Sequence, residues 1–105
     1  MKMRKLSEHS VAAAALLSAM ANPKRLMILC NLVNGEVAVG VLAAQVGLSQ
    51  SALSQHLSKL RAQKLVKTRR DAQTIYYSSN ATQVLTILDA LETIYGAAEE
   101  SKSAA

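Results

Sequence analysis

One continuous segment encodes a helix, a tight turn and a second helix: Leu42-Ala43-Ala44-Gln45-Val46-Gly47-Leu48-Ser49-Gln50-Ser51-Ala52-Leu53-Ser54-Gln55-His56-Leu57-Ser58-Lys59-Leu60-Arg61. Gly47 stands where a left-handed residue ends the first helix, and Ser49 is a residue type that caps the start of the next. Four apolar residues are placed to point inward: Leu42, Val46, Leu48 and Leu53. This spacing predicts a helix-turn-helix, with a first helix over residues 39–46 and a second from Gln50 to about Gln63.

The second helix of this pair carries a polar face of unusual composition. At about 100° per residue, three leucines fall on one side and His56 lies beside them, so we expect His56 to be packed or hydrogen-bonded rather than catalytic or metal-binding. Residues 49–64 contain no acid, whereas ordinary helix surfaces favour Glu and Lys. Ser, Gln and Arg side chains can bind bases or phosphates in the major groove of duplex DNA. The predicted DNA contacts on this helix are Gln50, Ser51, Ser54, Gln55, Ser58, Lys59 and Arg61.

Two further helices are predicted before this segment. Ser7 can cap the first of them, and Asn22-Pro23 marks the start of the next, with Lys24 and Arg25 at its exposed beginning. That second helix carries an apolar stripe and stops at Asn34-Gly35. The stripe consists of Leu26, Leu29, Cys30 and Val33. The basic amino end followed by a short apolar run imitates a secretory signal, but the run is too short, and we expect a cytoplasmic protein that is nucleoid-associated when bound to DNA.

A change of periodicity follows the helix-turn-helix. Residues 65–70 and 74–78 contain β-branched, Tyr and alternating side chains, so they predict a hairpin joined by Asp71-Ala72-Gln73. A basic hairpin after a recognition helix can lie along DNA phosphates or reach into the minor groove. The predicted contacts here are Lys67, Arg69, Arg70 and Gln73. We expect loss of Arg69 to weaken specific and non-specific DNA binding alike. Together the helices and the hairpin predict a winged helix-turn-helix.

The last helix is predicted to start at Asn80 or Ala81 and to end at Gly96, with apolar residues on more than one face. A chain of 105 residues buries a smaller fraction of its surface than a larger domain, so a second copy is expected to cover part of it. We predict a single domain over residues 1–105, mainly α with a small β-hairpin, ordered over about residues 7–96 and ending in a flexible tail at 97–105. In chain order its elements are four helices, two strands and one helix.

Charge and composition restrict the function. Residues 1–78 carry eleven Lys and Arg against three acids, a net charge of +8, while residues 79–105 carry one Lys against four acids, a net charge of −3. The basic part is suited to a polyanion. The absence of Trp and Phe, with three Tyr, argues against binding unstacked bases on aromatic platforms. One Cys and two His exclude an internal disulfide and a cysteine-rich zinc site, so we expect no cofactor and no metal.

The residues alone leave three other classes of function open. A winged-helix protein-interaction module with an incidental basic patch is one, although the acid-free face and the basic hairpin disfavour it. A non-specific architectural DNA binder, with little preference over random DNA, is another. An enzyme is the weakest alternative, because no activated nucleophile, carboxylate pair or phosphate-binding loop is present.

Five segments resemble the ArsR/SmtB family of winged-helix repressors: residues 21–26, 39–48, 49–57, 60–66 and 68–78. The resemblance spans about residues 11–96, and the run Ser-Gln-Ser-Ala-Leu-Ser-Gln-His-Leu at 49–57 is highly characteristic. The members most similar to this chain are rhizobial repressors of nodulation genes, and thiol-switching members are less similar. The resemblance implies a homodimer with the first and last helices at the interface, and repression from a pseudo-palindromic operator. The interface residues that follow from it are Val11, Ala12, Ala15, Leu16, Ala19, Val84, Leu88, Leu91 and Tyr95.

Departures from the family pattern bear on what controls the protein. Some metal-sensing members place Cys-x-Cys at the start of the third helix, where this chain has Ala38-Val39-Gly40. Others use His and acidic ligands on the last helix, where this chain has Asp89 and Glu92 but no His. Thiol-switching members pair two cysteines; Cys30 matches the first, but Gly96 stands at the second. We expect Cys30 to be a buried small apolar residue, with a single-thiol sensor as the alternative. Control by protein concentration or by competition at promoters is expected in place of an inorganic inducer.

Overall fold

The computed structural model describes the backbone of residues 1–104 and the side chains of residues 1–97. Its elements in chain order are α1 (Arg4–Glu8), α2 (Ser10–Met20), α3 (Pro23–Leu32), β1 (Val37–Ala38), α4 (Val39–Val46), α5 (Gln50–Ala62), β2 (Lys67–Asp71), β3 (Thr74–Ser78) and α6 (Thr82–Ala104). The predicted fold class is confirmed, because α4 and α5 form the helix-turn-helix and the β2–β3 hairpin forms the wing.

Local capping signals define the helices around the turn. The Asn22 side chain accepts hydrogen bonds from the backbone N–H groups of Lys24 at 2.9 Å and Arg25 at 3.1 Å, so it caps α3 as predicted. The Ser49 hydroxyl accepts from the N–H of Ala52 at 3.1 Å and caps α5. Gly47 has φ 68° and ψ 42°, the left-handed conformation that ends α4. Each cap satisfies backbone groups that the helix itself leaves unpaired.

The predicted start of the first helix is wrong. Ser7 lies inside α1 and its N–H donates to the carbonyl of Met3 at 2.9 Å. The chain kinks at His9, between α1 and α2, where the Nδ1 atom of the ring lies 2.9 Å from the carbonyl oxygen of Lys5. Arg, Lys and Leu are strong helix formers, so the basic residues before Ser7 extend helical structure further toward the amino end than the capping signal indicates.

A three-stranded antiparallel sheet of order β1-β3-β2 forms the wing and its base. The predicted hairpin is confirmed, with Lys67 opposite Ser78 and Asp71 opposite Thr74. Asp71 belongs to the strand, so the turn is Ala72-Gln73, with φ 55° at Ala72. Residues 65 and 66 do not extend the strand, which starts at Lys67, and both of their side chains are buried in the core. The third strand, β1, is two residues long and was not predicted.

Leucine side chains from the central helices make the core. Ten large side chains from α3, α4, α5, the segment before β2 and the start of α6 are at most 1% exposed: Ile28, Leu29, Leu32, Leu42, Val46, Leu53, Leu57, Leu60, Leu65 and Val84. Burial of one such side chain stabilises the folded state by about 1.5–3 kcal/mol. Three of these leucines belong to α5, so hydrophobic burial fixes which face of this helix points outward.

The last helix is longer than predicted. It starts at Thr82 and continues through Gly96 to Ala104, so the predicted end at Gly96 is wrong. A glycine inside a helix costs about 1 kcal/mol relative to alanine, and the Ala and Glu residues that follow it here favour helix and offset that cost. The flexibility predicted for residues 97–105 stays a prediction, and Ala105 lies outside the described residues. Among the helices that the structure describes, none is long and apolar enough to span a membrane.

Candidate DNA interface

The first turn of α3 holds the ends of two other helices. The Lys24 ammonium donates to the carbonyl oxygen of Val46 at 2.6 Å, at the end of α4. The Arg25 guanidinium donates through Nε to the carbonyl of Ala19 at 2.6 Å and through Nη2 to that of Ser18 at 3.4 Å, at the end of α2. Arg25 is only 9% exposed, so the prediction that it lies at an exposed helix start is wrong. Its donors are satisfied by helix-terminal carbonyls, which makes the burial of its charge tolerable.

His56 connects this cluster to α5. Its Nδ1 atom lies 3.2 Å from Nη1 of Arg25. Because a guanidinium can only donate, the His56 Nδ1 accepts and the ring is neutral in this arrangement. Burial, followed by the positive charges of Arg25 and Lys59, lowers the pKa of His56. The prediction of a packed or hydrogen-bonded histidine is confirmed, and the contact joins α5 to α3 through Arg25.

The outer face of α5 presents its polar side chains to solvent. All seven predicted contacts on this helix are exposed: Gln50, Ser51, Ser54, Gln55, Ser58, Lys59 and Arg61. They are not equivalent in position. Gln50 lies beside the start of α4, with its amide nitrogen about 3.9 Å from where a side chain at Gly40 would begin. Lys59 lines a groove between α2 and α5 together with Arg25 and Gln63. The remaining five form the central part of the face.

The wing carries four predicted DNA contacts, and in the structure one of them, Arg69, is paired within the chain. Lys67, Arg69, Arg70 and Gln73 are all exposed. Arg69 binds Glu36 through two hydrogen bonds, Nε to Oε1 at 2.8 Å and Nη2 to Oε2 at 2.9 Å. Its guanidinium also lies 4.7 Å from the centre of the Tyr76 ring. The hydrogen bond from Arg69 lowers the pKa of Glu36. Arg69 is therefore held by its own chain, whereas Lys67, Arg70 and Gln73 extend from the wing.

Sequence reasoning missed Glu36. It is one of only three acids in residues 1–78, and that scarcity is the signal that singles it out. Its partner is 33 positions away along the chain, so no local pattern indicates the pair. The pairing becomes possible because β1, directly after Glu36, is joined to β2 through β3.

The residues implied for the dimer interface fall into two groups. Val84 is 0% exposed and Ala19 is 8% exposed, so both pack in the core of a single chain and offer little surface to a partner. The other seven keep some or most of their surface, and Val11 and Tyr95 are among the most exposed apolar side chains, at 85% and 69%. Leu85 and Ile94 of α6 are also exposed and were not predicted. Apolar side chains thus stay uncovered on both α2 and α6, and together they are called the uncovered apolar surface.

Cys30 is exposed in the chain, so the prediction of a buried cysteine is wrong. Leu29, one position earlier, is fully buried, and the 100° rotation per residue carries the next side chain out of the core. The thiol lies in a shallow groove between α3 and α6, with Leu26, Leu88 and Tyr95. The described residues contain no group of three or more His, Cys, Asp or Glu side chains placed to hold a metal ion.

Comparison with known proteins identifies the family. Residues 22–68 match the family described as "Bacterial regulatory protein, arsR family". Nodulation protein NolR of Rhizobium meliloti is 72% identical over 89 residues, which cover 85% of this chain and 73% of the relative. The chain belongs to the ArsR family.

Two further relatives agree with this assignment. Transcriptional activator HlyU of Vibrio cholerae is 45% identical over 95 residues, covering 90% of this chain and 88% of the relative. The crystal structure of NolR from Sinorhizobium fredii superposes with a TM-score of 0.83 at 67% identity, covering 91% of this chain and 95% of that one. This ArsR-family chain is a DNA-binding transcriptional regulator and not an enzyme, and its winged helix-turn-helix is the fold of its relatives.

Proposed function

We propose that this ArsR regulator represses its target genes as a homodimer that occupies a pseudo-palindromic operator. The observation that carries the proposal is the acid-free, exposed face of α5, held on a buried leucine face and beside a basic wing. Ser51, Ser54 and Gln55 would contact base edges, with Gln50, Ser58 and Arg61 around them and Lys59 reaching phosphates from its groove. Lys67, Arg70 and Gln73 of the wing would hold flanking phosphates, which position the protein without reading sequence.

The uncovered apolar surface supports the homodimer. Val11 of α2 and Tyr95 of α6 are more than half exposed, and a partner of the same chain would remove both from water. Two copies of α5 related by a two-fold axis would then enter successive major grooves roughly 34–36 Å apart. A palindromic operator matches that symmetry, since each half-site meets the same face.

Genes of nodulation or symbiosis are the proposed targets. The support is the 72% identity to a protein named for nodulation. Because the target is genomic DNA, we place the working protein in the cytoplasm, associated with the nucleoid when bound.

We also propose that no inorganic ion releases this repressor from DNA. Ala38-Val39-Gly40 offers no side-chain ligand where metal-sensing relatives carry Cys-x-Cys, and thiolates and imidazoles are the ligands that such sites need. The test is a titration of protein–operator complexes with Zn(II), Cd(II), arsenite and polysulfide. We expect the complexes to persist, and specific release by any one of the four would refute this part of the proposal.

Selection of bound sequences from a random duplex library tests the function. We expect enrichment of one inverted-repeat site with half-sites about one helical turn apart, and cooperative binding of two chains to it. A library that stays unenriched although the protein binds DNA would identify an architectural protein. No retention of duplex at low salt would favour a protein-interaction module. Either result overturns the proposed repressor.

A further inference from the structure

The wing of this regulator holds one of its arginines in an intramolecular ion pair. The Glu36 carboxylate, just before β1, binds both Nε and Nη2 of Arg69 at 2.8 and 2.9 Å. The same guanidinium lies over the Tyr76 ring at 4.7 Å and within 4.0 Å of the Asp71 carboxylate. Two parallel hydrogen bonds and an aromatic face fix the orientation of a guanidinium more firmly than one exposed ion pair does.

The other two wing cations are not held in this way. In the part of the chain that the structure describes, neither Lys67 nor Arg70 has a carboxylate within 4.0 Å. Strand alternation places Arg70 on the opposite face of β2 from Arg69. The three basic residues of β2 therefore differ in how freely they can bind a phosphate, although the sequence alone presents them as one basic cluster.

A DNA phosphate and Glu36 compete for the same donors. Glu36 occupies the Nε and Nη2 donors on one edge of the Arg69 guanidinium, so a phosphate cannot bind that bidentate edge in this geometry. The remaining Nη1 lies 4.0 Å from the Asp71 carboxylate, which disfavours a second anion there. If a phosphate displaced Glu36, the carboxylate would be left close to a polyanion without its partner. Binding through Arg69 thus carries the cost of breaking its pair and of the repulsion that follows.

We propose that Glu36 limits the affinity of this regulator for DNA by withholding Arg69 from the phosphate backbone. Glu36 acts through Arg69, as a positioning residue, and contacts no nucleotide itself. Phosphate contacts carry no sequence information, so this restraint lowers retention on non-specific DNA as well as on the operator. The inference rests on the proposed function of the wing, and it reverses the expectation that Arg69 is itself a phosphate contact in the wild-type chain.

The test compares Glu36→Gln with Asp71→Asn in the full chain. Both variants remove one negative charge from an exposed position of the wing region, but only Glu36 hydrogen-bonds Arg69. Affinity for a duplex of mixed sequence is measured by fluorescence anisotropy over a series of salt concentrations, so no operator is needed. Arg69→Ala and the double variant Glu36→Gln/Arg69→Ala complete the cycle. Thermal unfolding confirms that all four variants fold.

We expect Glu36→Gln to increase affinity about fivefold more than Asp71→Asn does, and to steepen the slope of log K against log salt by about 0.9 per subunit, the value for one added phosphate contact. Arg69→Ala should leave the wild-type salt slope unchanged. Added to Arg69→Ala, the substitution Glu36→Gln should raise the affinity for duplex DNA no more than Asp71→Asn raises it in the wild-type chain.

Equal gains in affinity from Glu36→Gln and Asp71→Asn would attribute the result to net charge alone and overturn the proposal. Weaker binding by Glu36→Gln would also overturn it, because Glu36 would then orient Arg69 toward DNA. Absence of duplex binding by the wild-type chain would instead refute the proposed function.

Discussion

The ammonium of Lys24 donates a 2.6 Å hydrogen bond to the carbonyl oxygen of Val46, which joins the first turn of α3 to the last residue of α4. A cation at this position binds one of the orphan carbonyls of a helix end and opposes the negative end of the helix dipole. The turn between α4 and α5 begins at the next residue, Gly47. A residue outside the helix-turn-helix segment thus holds the end of its first helix.

Replacement of Lys24 by Met is expected to destabilise the fold by about 1–2 kcal/mol, because it removes a charge-assisted hydrogen bond while keeping most of the apolar stem. Urea unfolding followed by circular dichroism measures the change. Lys2→Met is the matched control, since Lys2 is exposed and precedes α1, and it should leave the free energy of unfolding unchanged. If the two variants have equal stability, the contact to Val46 contributes nothing to the fold.

Because of His56, the stability of the chain is expected to decrease as the pH drops below about 6.5. Burial and the charge of Arg25 lower its folded-state pKa from the ordinary value of 6.5. Between the two pKa values the unfolded chain binds more protons than the folded one, so the free energy of unfolding increases as the pH rises through this window. The stability that neutral His56 contributes is therefore lost as the pH falls through the same window. Unfolding measured from pH 7.5 to 5.5 gives the slope.

His56→Gln is the control for this dependence. The amide oxygen of Gln can accept the hydrogen bond from Arg25 but does not titrate. The variant should have a smaller change in unfolding free energy between pH 7.5 and 5.5 than the wild-type chain. An identical slope for both proteins would assign the pH dependence to other groups.

The sequence predicts those parts of the fold whose causes lie within a few residues. Asn22, Ser49 and Gly47 act on backbone groups no more than five positions away, so their capping roles follow from local rules. The period of the leucines in α5 likewise predicts which face is exposed. The cap at Ser7 fails because several helix ends are locally possible there, and tertiary contacts do not select among them: α1 buries no residue.

Contacts between distant residues decide what the sequence does not predict. Arg25 is read locally as an exposed basic residue, but the carbonyls at the end of α2 receive its side chain. The pairing of Glu36 with Arg69 needs the register of the whole sheet. The helical period alone predicts a buried Cys30, and an error of one position in that period moves a side chain from the interior to the surface. The candidate DNA face needed no such information, since composition and local period suffice to place it.

Gln55→Ala and Arg70→Ala are expected to change DNA binding in different ways. Gln can bind adenine with two hydrogen bonds, worth about 1–3 kcal/mol of discrimination against a wrong base, so Gln55→Ala should relax base preference at one or two positions of each half-site. Arg70→Ala removes a phosphate contact, so it should weaken binding to all sequences alike and reduce the salt slope by about 0.9 per subunit. Competition binding with operator variants separates the two. An unchanged preference profile for Gln55→Ala would remove Gln55 from the residues that read sequence.

Charge placed on the uncovered apolar surface is expected to separate the subunits. Val11 and Tyr95 are both exposed in the single chain, so the double variant Val11→Glu/Tyr95→Glu adds repulsion at the interface without disturbing the core. Sedimentation equilibrium should find a monomer at concentrations where we expect the wild-type chain to be a dimer. Thr93→Glu adds an acid to an exposed position about 160° around α6 from Tyr95 and should remain dimeric. Because a monomer makes half the phosphate contacts of the dimer, the salt slope of the double variant on DNA should be about half that of wild type. A double variant that stays dimeric would place the interface on another surface of the chain.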